Sequence, residues 1–236
     1  MAAEPVIPDF GQGSDCVTQN HTFCTDWVRE NWDPVLQPAL IEHIELTVIA
    51  VGIGFAISLF AALLAHRFRY VERPFALASA VIYTIPSLAL FQLLVPITGL
   101  TVTTVEVALV GYTLLILFRN ILTGLRSAPP EVLEAARGMG LTTTQTLFRV
   151  ELPLALPAIV AGLRVAVVST IALATVAAFV VSEGLGVPIL GALPLTFKTE
   201  IIAAGALAVG LAIFADGLLV VAQRLLTPWA FARRAA

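Results

Sequence analysis

Two pairs of side chains and one polar segment carry most of the chemistry that this sequence could support. Cys16 and Cys24 are its two cysteines, and seven intervening residues would let them close a small disulfide loop; the alternative is two unpaired thiols. Arg164 and Asp216 interrupt long apolar runs. A lone carboxylate there is costly, so we expect Asp216 to pair with Arg164 or to be protonated, ahead of binding a cation. Residues 129–153 gather charges, hydroxyl groups, glycines and prolines.

No cluster of residues in the sequence points to catalysis or to metal binding. The three histidines, His21, His43 and His66, are scattered and form no H-x-x-x-H pair. The sequence also lacks a G-x-x-x-x-G-K-[ST] phosphate loop. A membrane enzyme would need such a cluster or a serine–lysine pair. We therefore expect no enzymatic activity, no metal and no cofactor on this chain itself.

The composition is typical of a protein that has lipid as its solvent. Hydrophobic residues make up 58% of the 236 residues and charged residues 12%, and the mean hydropathy is +0.94. Soluble proteins contain about 25% charged residues, and no soluble core of this size could bury so much apolar side chain. The net charge of -3 argues against nucleic-acid binding. We predict an all-α membrane protein.

Long uncharged runs predict about five transmembrane helices, each needing about 20 mainly apolar residues. The third run is the weakest, because Glu106 and Arg119 enclose only twelve uncharged residues. In the second run, Pro86 is expected to kink the helix. The third run spans only if both charges sit near the helix ends and Arg119 extends its side chain to the membrane surface. The other predicted spans are 46–65, about 75–97, about 157–181 and about 201–224.

The basic residues predict how the chain is oriented in the membrane. With five spans, eleven of the thirteen lysines and arginines fall on one side or at helix ends beside it, and only Arg29 and Lys198 fall on the other. Lysine and arginine are enriched in cytoplasmic loops, so we expect the N-terminus outside and the C-terminus in the cytoplasm. The predicted parts are an outer arm (1–43), a membrane domain (44–228) and a cytoplasmic tail (229–236). An outer arm would place both cysteines in an oxidising compartment.

The longest cytoplasmic loop is predicted to hold two helices joined by a glycine turn. Pro129 and Pro130 suit the opening of a helix, where a missing N–H costs little. Gly140 is expected to end that helix. Thr142 and Gln145 then fit a capping box, which would begin the second helix. This order of residues is typical of a docking element.

The same loop resembles the EAA motif of ABC importer permeases: E-A-A, three residues, G, nine residues, and I-x-L-P. Valine replaces isoleucine here, and the other positions match. In such permeases the first short helix docks into a groove on the cytoplasmic ATPase, which implies that the E-A-A residues face that groove and that the glycine permits the turn after them. We call residues 129–153 the coupling segment and expect its last proline to break or bend the second helix. The matching positions are Glu134, Ala135, Ala136, Gly140, Val150, Leu152 and Pro153.

Four stretches of the chain resemble the osmoprotectant, or quaternary-amine, branch of these permeases. They are "IPSLALF" (85–91), "RNILTGLRSAPPEVLEAARGMG" (119–140), "ELPLALPAIVAGLR" (151–164) and "ATVAAFV" (174–180). The resemblance implies import of glycine betaine, choline, carnitine or related compounds across a bacterial inner membrane. It also implies three kinds of partner in the lipid bilayer: a cytoplasmic ATPase that binds ATP and Mg, an extracytoplasmic substrate-binding protein, and a second permease copy, expected to be identical.

Two alternative functions are open on sequence grounds. A permease for methionine or another small solute would use the same coupling segment. An ion-driven secondary transporter is less favoured, because it predicts inverted repeats and several midplane charges. Tyr83, Phe91 and Tyr112 could offer cation–π surfaces to a quaternary ammonium group. Packing between helices is the commoner reason for such aromatic residues, so we assign them no site from the sequence.

Overall fold

A computed structural model describes residues 15–229, and within this range the regular structure is helical. The first fourteen residues of the predicted arm and nearly all of the predicted tail at 229–236 lie outside the described residues. Gln37 begins the first long helix, so that helix starts before the predicted boundary at residue 44. The α-helices are α1 (Asp15–Thr18), α2 (Thr25–Glu30), α3 (Gln37–Arg67), α4 (Arg69–Thr84), α5 (Ser87–Thr98), α6 (Val102–Leu125), α7 (Pro130–Gly138), α8 (Thr143–Thr146), α9 (Leu152–Val176), α10 (Gly186–Ala192) and α11 (Lys198–Leu226).

Within residues 15–229, four helical stretches are long and apolar enough to cross a membrane, and a bent pair of helices brings the total to as many as five. The four are Trp32–Arg67, Val102–Leu125, Thr143–Phe179 and Lys198–Leu226. The third run is long enough to span, because α6 extends beyond Glu106 and Arg119 and covers 24 residues.

The expected single span over 75–97 is wrong in its shape. The structure contains two helices there, α4 and α5, and the chain bends by 103° between them. At the junction Ile85 has an extended backbone conformation (φ -72°, ψ 130°). The ring of a proline disfavours the helical conformation of the residue before it, here Ile85. In addition, Pro86 has no N–H to continue the helix. The proline therefore breaks the helix where only a kink was expected.

Helix α6 lies at the centre of the membrane domain, between α3 and α9. One apolar cluster surrounds its first half and includes Leu46, Phe91 and Leu109, which are buried. A second cluster surrounds its other half and includes Phe118 and Ile121. Small residues let these helices approach closely, as is usual in membrane bundles.

Gly54 shows how tight this packing is. A Cβ added to it would lie 1.8 Å from the Thr113 hydroxyl oxygen on α6. A side chain at this position would therefore push α3 away from the central helix.

The N-terminal arm packs on the turn between α10 and α11. Cys16 and Cys24 form a disulfide, so the structure brings these two predicted site residues together. The Cys24 backbone N–H donates a hydrogen bond of 3.1 Å to the Thr199 hydroxyl, and Asn20 Nδ2 donates one of 2.9 Å to the Thr196 carbonyl. Through these contacts the arm is tied to the beginning of α11.

Candidate functional site

Helix α7 of the coupling segment ends in a Schellman motif centred on Gly140. The Leu141 N–H donates to the Ala136 carbonyl at 3.1 Å, and the Gly140 N–H donates to the Arg137 carbonyl at 2.9 Å. Gly140 has φ +80°, and an added Cβ would meet no atom within 4 Å. The left-handed backbone therefore requires glycine here, whereas lack of space does not.

The predicted capping box follows this turn and is confirmed. The Thr142 N–H donates to Gln145 Oε1 at 2.9 Å, and the Gln145 N–H donates to Thr142 Oγ1 at 3.3 Å. These reciprocal bonds satisfy two backbone donors that a helix start leaves unpaired. The entry into the second helix is thus fixed by local chemistry.

The expected break at Pro153 is absent from the structure. The chain stays helical from Thr143 to Phe179, with one π-helical turn at Leu147–Glu151. Pro153, which has no N–H to donate, follows this turn almost directly and lies within the continuous helical stretch. The second helix of the coupling segment is therefore continuous with a membrane span, so a displacement of the segment is passed to α9.

The residues of the E-A-A triplet do not all point the same way. Glu134 and Ala135 are exposed, together with Met139, which is 72% exposed. Ala136 is only 1% exposed and faces its own chain. The expectation from the motif places all three on the docking face, and the structure leaves Glu134 and Ala135 on the exposed side.

A cavity of about 340 Å³ separates α7 from the end of α3. One hydrogen bond crosses beside it, since His66 Nε2 lies 2.8 Å from Glu151 Oε2 in the π-helical turn. The other ring nitrogen of His66 is buried and has no hydrogen-bond partner. Leu152, at the root of α9, packs on the second apolar cluster, and Val150 and Pro153 beside it are half-buried. The end of the motif is thus embedded while its beginning is exposed.

Arg164 on α9 and Asp216 on α11 form a two-pronged ion pair. Arg164 Nε lies 2.7 Å from Oδ1 of Asp216, and Nη2 lies 2.9 Å from Oδ2. About a third of each side chain is exposed (34% and 35%). In the structure the carboxylate therefore has a protein partner, which matches the pairing alternative and links the peripheral helix α11 to the bundle.

His43 at the other end of α3 has a role that the sequence pattern did not reveal. Its side chain is fully buried; Nε2 is 3.0 Å from the Ile171 carbonyl, and Nδ1 accepts from the Leu185 N–H at 3.3 Å. Beside it, the Gly184 N–H donates to Glu42 Oε2 at 2.8 Å. The sequence contains one sign of this role: a histidine lies about one helical turn before a long uncharged run.

The chain is similar to known transport proteins over most of its length. Residues 54–230 match the family described as "Binding-protein-dependent transport system inner membrane component". The osmoprotectant import permease protein OsmW of Salmonella typhimurium is 37% identical over 192 residues, which cover 79% of this chain and 89% of that protein. The choline transport system permease protein OpuBB of Bacillus subtilis is 37% identical over 188 residues, covering 79% and 86%.

A further relative and a solved structure extend this similarity. The glycine betaine/carnitine/choline transport system permease protein OpuCD of Bacillus subtilis is 36% identical over 203 residues, covering 86% of this chain and 88% of that protein. A chain from an inward-facing structure of the MetNI methionine ABC transporter superposes with a TM-score of 0.72. It covers 86% of this chain and 100% of that one, and its 20% identity supports the shared fold alone.

Proposed function

The chain belongs to the family of binding-protein-dependent transport system inner membrane components, and we propose that it is the permease subunit of an ATP-driven importer for glycine betaine, choline, carnitine or a related quaternary amine. The observation that carries the permease role is the coupling segment, whose exposed helix α7 leads through a capped turn into the membrane helix α9. The solute class is supported by relatives at 36% to 37% identity over at least 79% of the chain.

We propose that α7 and the disulfide arm lie on opposite sides of the membrane. The arm packs near the beginning of α3, and α7 lies near its end, where His66 meets Glu151. At about 1.5 Å per residue the 31 residues of α3 extend roughly 46 Å, which exceeds the thickness of the hydrocarbon core. The excess of basic residues on the α7 side supports a cytoplasmic location for it.

In this arrangement the permease transmits a movement and performs no covalent chemistry. A partner ATPase would contact Glu134, Ala135 and Met139 on the exposed face of α7. Closure of the ATPase on ATP would displace α7, and the displacement would reach α9 through the continuous helix and α3 through the His66–Glu151 pair. ATP binding must favour one state of the permease over the other, because equal affinity for both would shift nothing.

The test is uptake of labelled glycine betaine, choline and carnitine by proteoliposomes that hold the permease with its binding protein and ATPase. Replacing Gly140 forces a side chain into the left-handed region, a cost of up to about 1–2 kcal/mol that is smaller for aspartate, so Gly140→Asp should lower uptake several-fold. Gly138→Ala is the matched control, since an added Cβ there meets no atom within 4 Å and the φ is not positive.

Each outcome of this assay has a distinct meaning. Uptake that is lowered in Gly140→Asp and kept in Gly138→Ala supports the solute class and the coupling role together. An assembled complex that imports methionine and no quaternary amine would overturn the solute class alone. Equal uptake by both variants would show that the turn at Gly140 does not transmit the movement of the ATPase to the membrane helices.

A further inference from the structure

We propose that the recess at the break between α4 and α5 is a transient binding site for the quaternary ammonium group of the solute on its way through the permease; this inference rests on the proposed function. The recess has a volume of about 450 Å³, within the range of about 300–1,000 Å³ that is usual for small-molecule sites. The lining residues with aromatic rings or hydroxyl groups are Tyr83, Thr84, Ser87, Tyr112, Thr113, Ser169 and Thr170.

The location of the recess argues that it faces a water-filled path. Tyr112 lies near the middle of α6, about 15 Å from one end and about 20 Å from the other at 1.5 Å per residue. Backbone that is not helical is tolerated at such depth only where protein covers it or where it lines a cavity. The Ile85–Pro86 junction is such backbone, and it lines the recess. Interrupted helices of this kind form the solute sites of many transporters.

Two aromatic rings lie at the recess in a fixed arrangement. The centroids of Tyr83 and Tyr112 are 6.1 Å apart, with 68° between the ring planes. The Tyr112 hydroxyl donates a hydrogen bond to the Ile85 carbonyl, which holds its ring against the break. Tyr83 is 44% exposed, so its ring is open to an incoming group. Phe91, by contrast, is fully buried in the first apolar cluster and contributes no surface.

The chemistry of the lining suits a quaternary ammonium group in particular. Such a group carries a charge but no N–H, so it cannot donate hydrogen bonds to neutral acceptors, whereas the electron-rich face of an aromatic ring attracts it. None of the residues that line the recess is charged. A carboxylate would hold the cation tightly, and a transport path needs contacts weak enough to let the solute leave. Tyrosine rings without a counter-ion meet that requirement.

The two helix ends at the break add a weaker electrostatic preference. Thr84 ends α4 and Ser87 begins α5, and both line the recess. The carboxyl end of a helix bears partial negative charge and the amino end bears partial positive charge. A zwitterion such as glycine betaine would place its ammonium group toward α4 and its carboxylate toward α5. Choline would gain only the first contact.

The first experiment compares substitutions of Tyr83 by uptake in proteoliposomes with the complete transporter. Tyr83→Phe keeps the aromatic face, and Tyr83→Leu removes it at similar bulk. We expect Tyr83→Phe to retain uptake and Tyr83→Leu to lower it about tenfold, as loss of one desolvated cation–π contact would. Tyr70→Leu is the matched control, because Tyr70 lies on the same helix, is 76% exposed and does not line the recess.

Equal uptake by Tyr83→Leu and Tyr83→Phe would overturn the proposal. Failure of the unsubstituted complex to import any quaternary amine would instead overturn the proposed function, and the recess would then be judged by a second measurement whose main readout, the labelling rate, does not depend on transport. The chain offers one, since its two cysteines are joined in the disulfide and an introduced cysteine is the sole reactive thiol.

That second measurement is labelling of Ser169→Cys with a trimethylammonium methanethiosulfonate reagent, in a complex whose partner subunits lack cysteine. A water-filled path that admits quaternary ammonium predicts fast labelling at Ser169, and glycine betaine delivered by the binding protein should slow it several-fold. Ser79→Cys on α4 is the control, because Ser79 is 2% exposed and lies outside the recess. Labelling of Ser169→Cys that is as slow as that of Ser79→Cys would overturn the site.

Discussion

Histidines stand near both ends of α3, and their surroundings differ in kind. His43 is fully buried, and both of its ring nitrogens contact backbone groups of other segments. His66 is 23% exposed, pairs with one carboxylate, and keeps a second nitrogen without a partner beside a cavity. In the proposed orientation the His43 end of α3 is the outer end of the bundle and the His66 end is the inner end. The outer end is fixed through backbone, and the inner end is joined through side chains that can separate. Movement can enter at the inner end while the outer end holds its shape.

The largest effect should come from breaking the outer contact. His43→Leu fills a similar space but leaves the Leu185 N–H and the Ile171 carbonyl buried without their partner. Each lost partner costs about 1–3 kcal/mol, so we expect the permease to lose about 3 kcal/mol of stability. Thermal unfolding of the purified protein in detergent measures this. His66→Leu should lower the stability clearly less than His43→Leu. A larger loss of stability in His66→Leu would contradict the contrast between the two ends.

Removing the disulfide should loosen the outer end by a somewhat smaller amount. Closing the short loop between Cys16 and Cys24 is worth about 2 kcal/mol in the chain-entropy account. In the double variant Cys16→Ala and Cys24→Ala, amide hydrogens of the arm and of the α10–α11 turn should exchange faster, while those of α7 should not change. Hydrogen exchange read by mass spectrometry tests this. Unchanged protection of the turn around Thr196 would show that the arm does not hold it.

At the inner end the same kind of substitution should alter coupling more than stability. Glu151→Gln removes the charge from a partly exposed pair, so the stability cost should stay near about 1 kcal/mol or less. The pair links the π-helical turn to α3, so we expect fewer solute molecules imported per ATP hydrolysed. The measurement is uptake and ATP hydrolysis in the same proteoliposomes. A matched variant, Glu72→Gln, removes the other carboxylate that pairs near this end, and it should leave the ratio unchanged.

The smallest effect on stability is expected on the exposed face of α7. Met139→Ala should change the free energy of unfolding by no more than about 0.5 kcal/mol, as is usual for surface positions. The affinity for the ATPase should nevertheless fall, because Met139 presents the largest exposed apolar side chain of this turn. Co-purification titrated with ATPase measures it. The control is Thr103→Ala, because Thr103 is also exposed but lies at the start of α6, whereas the coupling segment follows the end of α6.

Local signals in the sequence predicted the coupling segment well. The proline pair, Gly140 and the Thr142–Gln145 box each act within a few residues, so their structural outcome depends little on the rest of the chain. The long spans could also be predicted from the sequence, because a helix that crosses the bilayer needs about 20 mainly apolar residues.

Other features depend on contacts between distant segments and could not be predicted in this way. Average hydropathy carries no direction, so the 75–97 run, although Pro86 indicated a kink in it, did not show that the chain bends by 103° between α4 and α5. Ala136 is small enough to suit either a docking face or an interior, and only the packing of α7 on its own chain decides between them. The ring contacts of His43 join residues more than a hundred positions apart. The Tyr83–Tyr112 pair likewise joins α4 to α6, and it depends on how these two helices pack.

The unequal lengths of the helices make membrane thickness relevant to this protein. α3 and α11 contain 31 and 29 residues, whereas the central helix α6 contains 24. A hydrocarbon core of about 30 Å can be matched by α6 nearly upright, but the longer pair must tilt or protrude. A thinner or stretched bilayer favours a larger tilt of those helices. The surrounding lipid thus exerts a mechanical bias on the same rearrangement that ATP drives.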